Sequence, residues 1–228
     1  MDFNSDNQSM PFPRSTEQTF IQRVYQWMAA GLSLTGFVAY WAAGTESVMK
    51  LMLGPGFIVA MLVELGIVIW LSASIRKISA QAAITGFLIY SAINGLTMSY
   101  VFLIYTGASI AYTFFITAAS FAAVSFFGWV TKTDLTSLGG FFLMGIIGLI
   151  IGSVVNMFLQ APVLYWFLTY AGVALFIGLT AYDVQKLKRM HQSGAEIGDQ
   201  LAIFGALQLY LDFVNMFIYL LRIFGKRR

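Results

Sequence analysis

Glu64, Asp183 and Asp212 are carboxylates in stretches of sequence that otherwise carry almost no charge. In lipid such a side chain costs about 2.5–3.5 kcal/mol on insertion scales, so each is expected to face a partner or water. Asp212 belongs to a seam. Gln208, Asp212, Asn215, Tyr219 and Arg222 recur at alternating intervals of four and three residues, which is one face of a helix. The residues between them are mainly Leu, Phe, Ile, Val and Met. A helix that is apolar on its other faces is expected at the centre of a bundle, with its seam turned to a cavity or a polar partner.

The polar segment Leu187–Gln200 joins Asp183 to the last helix and can fold that helix back beside the preceding one, so the two aspartates can meet. Two neighbouring carboxylates in a low dielectric do not both ionise easily, and they titrate as a unit. With a proton between them they close through a hydrogen bond. Without it they repel unless a cation comes between. This is a pH-dependent latch, and oxygen ligands suit Ca²⁺, so a transient Ca²⁺ contact is expected at Asp183 and Asp212. Arg76, near the inner end of the second span, is expected to hold the closed state as an ionic latch. Glu64, Gln208 and Asn215 are expected along the ion path. Asn94 and Asn156 either bond across helices or line a hydrated route.

The elements that must hold these groups follow from composition. Of 228 residues, 59% are apolar and 10% charged, whereas a soluble domain carries about 25% charged residues. Val24–Thr45, Ile78–Thr131 and Leu135–Tyr182 are charge-free, and Leu51–Ile75 carries only Glu64. A spanning helix needs about 20 apolar residues, so the two longest blocks each hold two spans, divided near Tyr105-Thr106-Gly107 and Gln160-Ala161-Pro162. The expected architecture is an all-α polytopic membrane protein of seven transmembrane helices: 24–44, 53–75, 80–104, 109–130, 138–159, 164–186 and 201–223, the last one central. Residues 1–23 form a polar tail expected to be disordered and not a signal peptide; 24–223 form the transmembrane domain; 224–228 are a basic tail. The blocks do not alternate polar and apolar, which argues against a barrel.

Trp27, Trp41, Trp70, Trp129 and Trp166 fall near predicted helix ends, where aromatic belts sit. Gly145, Gly148 and Gly152 point to close helix packing within the bundle. With the N-terminus in the cytoplasm, Arg14, Arg23, Arg76, Lys77, Lys132, Lys186, Lys188 and Arg189 all lie inside and only Lys50 lies in an outer loop. The C-terminus, with Arg222, Lys226, Arg227 and Arg228, is then expected outside if the last helix crosses fully. Lys186, Lys188, Arg189 and His191 are expected in a solvated loop at the headgroups. The net charge of +3 reflects this topology and contact with anionic lipid, and gives no argument for nucleic acid.

Other chemistries lack their residues. There is no cysteine, and His191 is the one histidine, so thiolate or histidine metal centres, H-E-x-x-H zinc sites and Ser–His proteolysis have no basis. No lysine lies in mid-span for a retinal Schiff base. An intramembrane aspartyl protease would use two aspartates, and Tyr182-Asp183 imitates half its motif. The other half, G-x-G-D, is absent, as is the Pro-Ala-Leu element. No enzymatic activity and no bound cofactor are expected. A proton-coupled cation exchanger remains the alternative, because buried carboxylates also relay protons.

Ala206-Leu207-Gln208-Leu209-Tyr210-Leu211-Asp212-Phe213-Val214-Asn215-Met216-Phe217 and Tyr182-Asp183-Val184-Gln185 closely resemble the last two helices of the Bax inhibitor-1 family, bacterial branch. The resemblance implies a Ca²⁺-permeable leak gated by pH through an aspartate pair, here Asp183 and Asp212, with Arg76 as the basic partner. It implies a multi-pass protein of the bacterial inner membrane, with the lipid bilayer, Ca²⁺ and H⁺ as partners and a membrane-bound AAA protease as a further one. Eukaryotic relatives restrain cell death; nothing in this bacterial-looking chain points to that role.

Overall fold

A chain in lipid must satisfy its backbone polar groups internally, and these apolar blocks do so as helices. The computed structural model describes residues 14–75, 77–192 and 199–228, with backbone alone for 14–19, 191 and 192. Among the described residues there are nine α-helices: α1 (Arg14–Ala43), α2 (Glu46–Met52), α3 (Pro55–Ser74), α4 (Ala80–Met98), α5 (Val101–Ile104), α6 (Gly107–Val130), α7 (Gly139–Leu159), α8 (Pro162–Gln192) and α9 (Asp199–Phe224). A short 3₁₀ turn, Thr136–Leu138, leads into α7.

The helix ends have local causes. Pro55 and Pro162 open α3 and α8, where a missing N–H costs nothing. The Ser79 and Thr106 hydroxyls accept the N–H groups of Ala82 and Ser109 and so start α4 and α6. The end of α7 is set by Gln160, whose φ of 49° is left-handed. Its N–H donates to the Asn156 carbonyl at 2.8 Å, and the Asn156 side chain takes the Ala161 N–H at 3.0 Å. Asn156 is therefore a cap for α7 and is not among the residues lining the central cavity.

Among the described residues, six helical segments are long and apolar enough to cross a membrane: Pro55–Ser74, Ala80–Ile104, Gly107–Val130, Thr136–Leu159, Pro162–Met190 and Asp199–Phe224. The expected count of seven is corrected at its first member. Gln26, Ser33, Thr35 and Tyr40 dilute the apolar character of α1, so α1 is not among the six. It still runs the length of the bundle. Arg23 pairs with Asp199 at the start of α9. At the other end Tyr40 meets Phe102 edge-on at 6.0 Å, and Tyr40 and Trp41 share a recess with Arg228. Helix α1 begins at Arg14, ahead of the predicted first span.

The last helix is central, as its seam requires. It is the most buried of the six spans and packs against α1, α4, α6 and α8. Tyr210 is fully buried, between the rings of Phe87 and Tyr90 at 5.7 Å each. Because lipid is as apolar as leucine, helices here associate through close packing around small residues. A Cβ on Gly128 would stand 2.5 Å from the Ala181 carbonyl oxygen, so α6 and α8 touch backbone to backbone there. Gly145 and Gly152 are filled by Leu175 and Leu168 of α8, whereas a Cβ on Gly148 would meet nothing within 4 Å. The apolar side chains of α3 and α7 are mostly exposed, as suits lipid-facing helices.

The C-terminal tail is tied down. Thr106 donates its N–H to the Lys226 carbonyl at 2.9 Å, and the Arg228 N–H donates to the Ile104 carbonyl at 2.9 Å. The two ends of α9 thus lie at opposite ends of the bundle, one beside Arg23 and the other beside the α5–α6 loop. Basic residues expected in a solvated loop are instead on the last turns of α8, which runs to Gln192. The His191 side chain lies outside the described residues.

Candidate functional site

The polar seam of α9 opens on a cavity of about 730 Å³, lined by residues of α3, α4, α7, α8 and α9. Gln208, Asp212, Asn215 and Tyr219 supply its α9 wall, Asp183 its α8 wall and Glu64 its α3 wall. The three intramembrane carboxylates singled out in the sequence therefore face one space.

Asp183 and Asp212 come together. Both are almost wholly buried, and their carboxyl groups are close enough to act directly on each other. A hydrogen bond between them would need one proton, because an ionised carboxylate only accepts. Gln208, one helical turn before Asp212, donates its amide N–H to Asp183 Oδ1 at 3.3 Å. Asp212 Oδ2 and the amide oxygen of Gln208 have no hydrogen-bond partner among the described residues. The Asn215 amide donates back to the Leu211 carbonyl at 2.8 Å, which leaves its oxygen for the cavity. Among the described residues, the positive charge that acts on both aspartates is Lys186, one turn after Asp183, whose ammonium lies 5.8 Å from the Tyr182 ring centroid. Arg76, the expected latch, lies outside the described residues.

Glu64 does not join the aspartates. It anchors a second network on the other side of the cavity. Thr97 donates its hydroxyl to Glu64 Oε1 at 2.8 Å, and the Asn94 amide approaches Oε2 at 3.5 Å. Asn94 Oδ1 accepts the Tyr210 hydroxyl at 2.9 Å, and that hydroxyl oxygen accepts from Thr35 Oγ1 at 2.6 Å, the Ser91 carbonyl being the alternative acceptor for the one Thr35 proton. One chain of hydrogen bonds thus links α3, α4, α9 and α1. Asn94 bonds across helices, one of its two expected roles. Thr97, Tyr210 and Thr35 were missed in the sequence. The signal for Thr97 was there, since Asn94 and Thr97 are three residues apart on one face of α4.

Arg222 ends the seam outside the cavity lining. Its guanidinium sits 4.9 Å from the Tyr219 ring centroid and 5.4 Å from that of Tyr165. Tyr219 in turn stacks on Phe176 at 5.9 Å, and both rings line the cavity. At the far end of α8, side chains clasp the loop between α6 and α7. Gln185 accepts the Leu135 N–H and donates to the Thr133 carbonyl, both at 2.8 Å. Lys188 donates to the Trp129 carbonyl at 2.8 Å and lies over that indole. Arg189 pairs with Asp134 at 2.8 Å. The exposed Asp134 carboxylate takes the Thr136 hydroxyl, the Arg189 guanidinium and the Thr136 N–H, and these bonds hold its pKa down at about 2.

Residues 17–228 match the family model described as Inhibitor of apoptosis-promoting Bax1. The Inner membrane protein YbhL of Escherichia coli (strain K12) is 46% identical over the full length of both chains. A protein of Borreliella burgdorferi is 41% identical over 92% of each chain. A membrane protein of Streptococcus pyogenes serotype M1 is 35% identical over 91% of this chain and 92% of its own. A match over nearly the whole chain makes this protein a member of the Bax inhibitor-1 family.

Proposed function

We propose that the chain is a non-enzymatic, pH-regulated Ca²⁺ leak of the bacterial inner membrane, gated by Asp183 and Asp212. The observation that carries this reading is the neighbouring pair of buried carboxyls at the wall of a cavity that a third carboxylate also lines. The inner membrane is the location given in the name of the E. coli relative, and the six apolar spans fit it.

The steps follow from the pair. While one proton is shared, α8 and α9 are held together through it. Loss of the proton leaves two carboxylates side by side, and their repulsion works against the α8–α9 contact. A divalent cation relieves that repulsion by taking oxygens from both, with Gln208 and Asn215 as further oxygen donors. Glu64 faces the same space from α3 and attracts the ion in turn. Its bonds to Thr97 and Asn94 keep that wall in place. Flux therefore rises as pH rises through the range where the pair loses its proton.

The test is reconstitution in liposomes with an enclosed Ca²⁺ dye, read across pH. Dye response that grows with pH and needs no other gradient is the expected result. No Ca²⁺ entry at any pH overturns the proposal. Entry only against a counter-gradient of H⁺ or Na⁺ replaces the leak with a proton-coupled exchanger.

A further inference from the structure

The same cavity has two features that an ion route does not need. Most of its wall is apolar, and it is open on the side that faces lipid. Met61 and Leu65 of α3 and Ile150 and Val154 of α7 line it, yet each is about half exposed at the outer surface of the bundle. Helix α3 packs chiefly on α4, and α7 chiefly on α8. The cavity lies between them, so its mouth opens into the bilayer. At its inner wall stand the acceptors already described: Asp212 Oδ2, which belongs to a side chain only 4% exposed, and the Gln208 amide oxygen, both without a donor among the described residues.

An unsatisfied buried acceptor calls for an N–H or O–H group. A negatively charged wall favours a cation, and the Phe176 and Tyr219 rings favour one too. Lys186, the positive charge near the pair, is turned to the Tyr182 ring and is not part of the lining. The remaining charged lining residues are Glu64, Asp183 and Asp212. The mouth, by contrast, suits only an alkyl chain. The volume of about 730 Å³ lies in the range of small-molecule sites.

We propose that this cavity binds a protonated long-chain primary amine, which enters from the lipid between α3 and α7. Its ammonium donates to Asp212 Oδ2 and Gln208, and its tail lies along Met61, Leu65, Ile150 and Val154. A primary ammonium has the three N–H donors this wall lacks.

The probe is radiolabelled dodecylamine, bound at equilibrium to the protein in phosphatidylcholine nanodiscs with Ca²⁺ chelated. The expected result is a saturable component absent from empty nanodiscs. Unlabelled dodecylamine competes for it, dodecyltrimethylammonium competes at least tenfold more weakly, and dodecanol does not compete. Asp212→Asn weakens binding at least tenfold. Ile150→Trp, which fills the mouth from the lipid side without touching the acidic wall, does the same in protein whose melting is unchanged. Absence of a saturable component, equal competition by dodecanol, or wild-type binding by both variants overturns the proposal. Competition by the water-borne polyamine spermidine at the same concentration overturns entry from lipid. Binding is read without flux and without Ca²⁺. Amine binding by a chain that passes no Ca²⁺ therefore removes the leak and keeps this site, and flux without amine binding does the reverse.

Discussion

At the scale of single residues, position in the wrong solvent was the readable signal. Glu64, Asp183 and Asp212 stand out because nearly everything around them is apolar, and all three line one cavity. Their partners were harder to read. Tyr210 counts as an apolar-face residue in sequence, yet its hydroxyl joins Thr35 to Asn94. Asn156 looked like Asn94, but the left-handed turn at Gln160 makes it a cap. Nothing in the local sequence separates those two roles. The Glu64 network predicts a modest loss on its own. Thr97→Val removes the 2.8 Å bond to Glu64 and should destabilise the protein by about 0.6–1.7 kcal/mol, the range for bonds between membrane helices, measured by unfolding in mixed micelles. An unchanged midpoint would show that Glu64 is held by water instead. Asp134 makes a different prediction. Its pKa is held down at about 2, below the unfolded value of about 3.9. Its stabilising effect is therefore complete above about pH 4 and lost as pH falls through about 2. The gap in melting temperature between wild type and Asp134→Asn should close over that window; a gap constant from pH 6 to pH 2 contradicts the assignment.

At the scale of elements, five of the seven predicted spans needed only small changes at their ends, because long charge-free blocks leave a helix no other solution in lipid. The other two differ more, one in apolar content and one in where it ends. In α1, the exposed Gln26, Ser33 and Tyr40 and the buried Thr35 lower the apolar content of a helix that still runs the bundle's length. In α8, a basic run looked like loop, but Lys188 and Arg189 carry the helix on by bonding the α6–α7 loop beside them. The small-residue motif of α7 packs through Gly145 and Gly152 but not through Gly148, while the closest helix crossing is at Gly128 of α6, outside the motif. Gly128→Leu puts a side chain into the Ala181 backbone and should cost about 1–3 kcal/mol or more by overpacking. Gly148→Leu enters open space and should leave the melting temperature of the purified protein within a degree or two. Equal effects of the two substitutions would mean that α6 and α8 do not cross closely at Gly128.

At the scale of the whole molecule, one central helix organises both polar networks. Helix α9 sends Asp212 to Asp183 on one side of the cavity and Tyr210 toward the Glu64 network on another. Its ends reach Arg23 and the α5–α6 loop, at opposite ends of the bundle. A reporter fused after Arg228 should therefore report the opposite side of the membrane from one fused at the N-terminus; signals on the same side would show that the last helix turns back. From the basic residues ahead of the last helix we propose a cytoplasmic N-terminus, and a last helix that crosses fully then carries Arg228 to the periplasm. The central claim is that the proton between Asp183 and Asp212 sets whether α8 and α9 are held together. It is tested most directly by the pH profile of Ca²⁺ entry into liposomes for wild type, Asp183→Asn and Asp212→Asn. The account predicts a steep rise with pH in wild type and a flat profile in both variants, because an amide neither gains nor loses the proton. A variant that keeps the wild-type rise would contradict it.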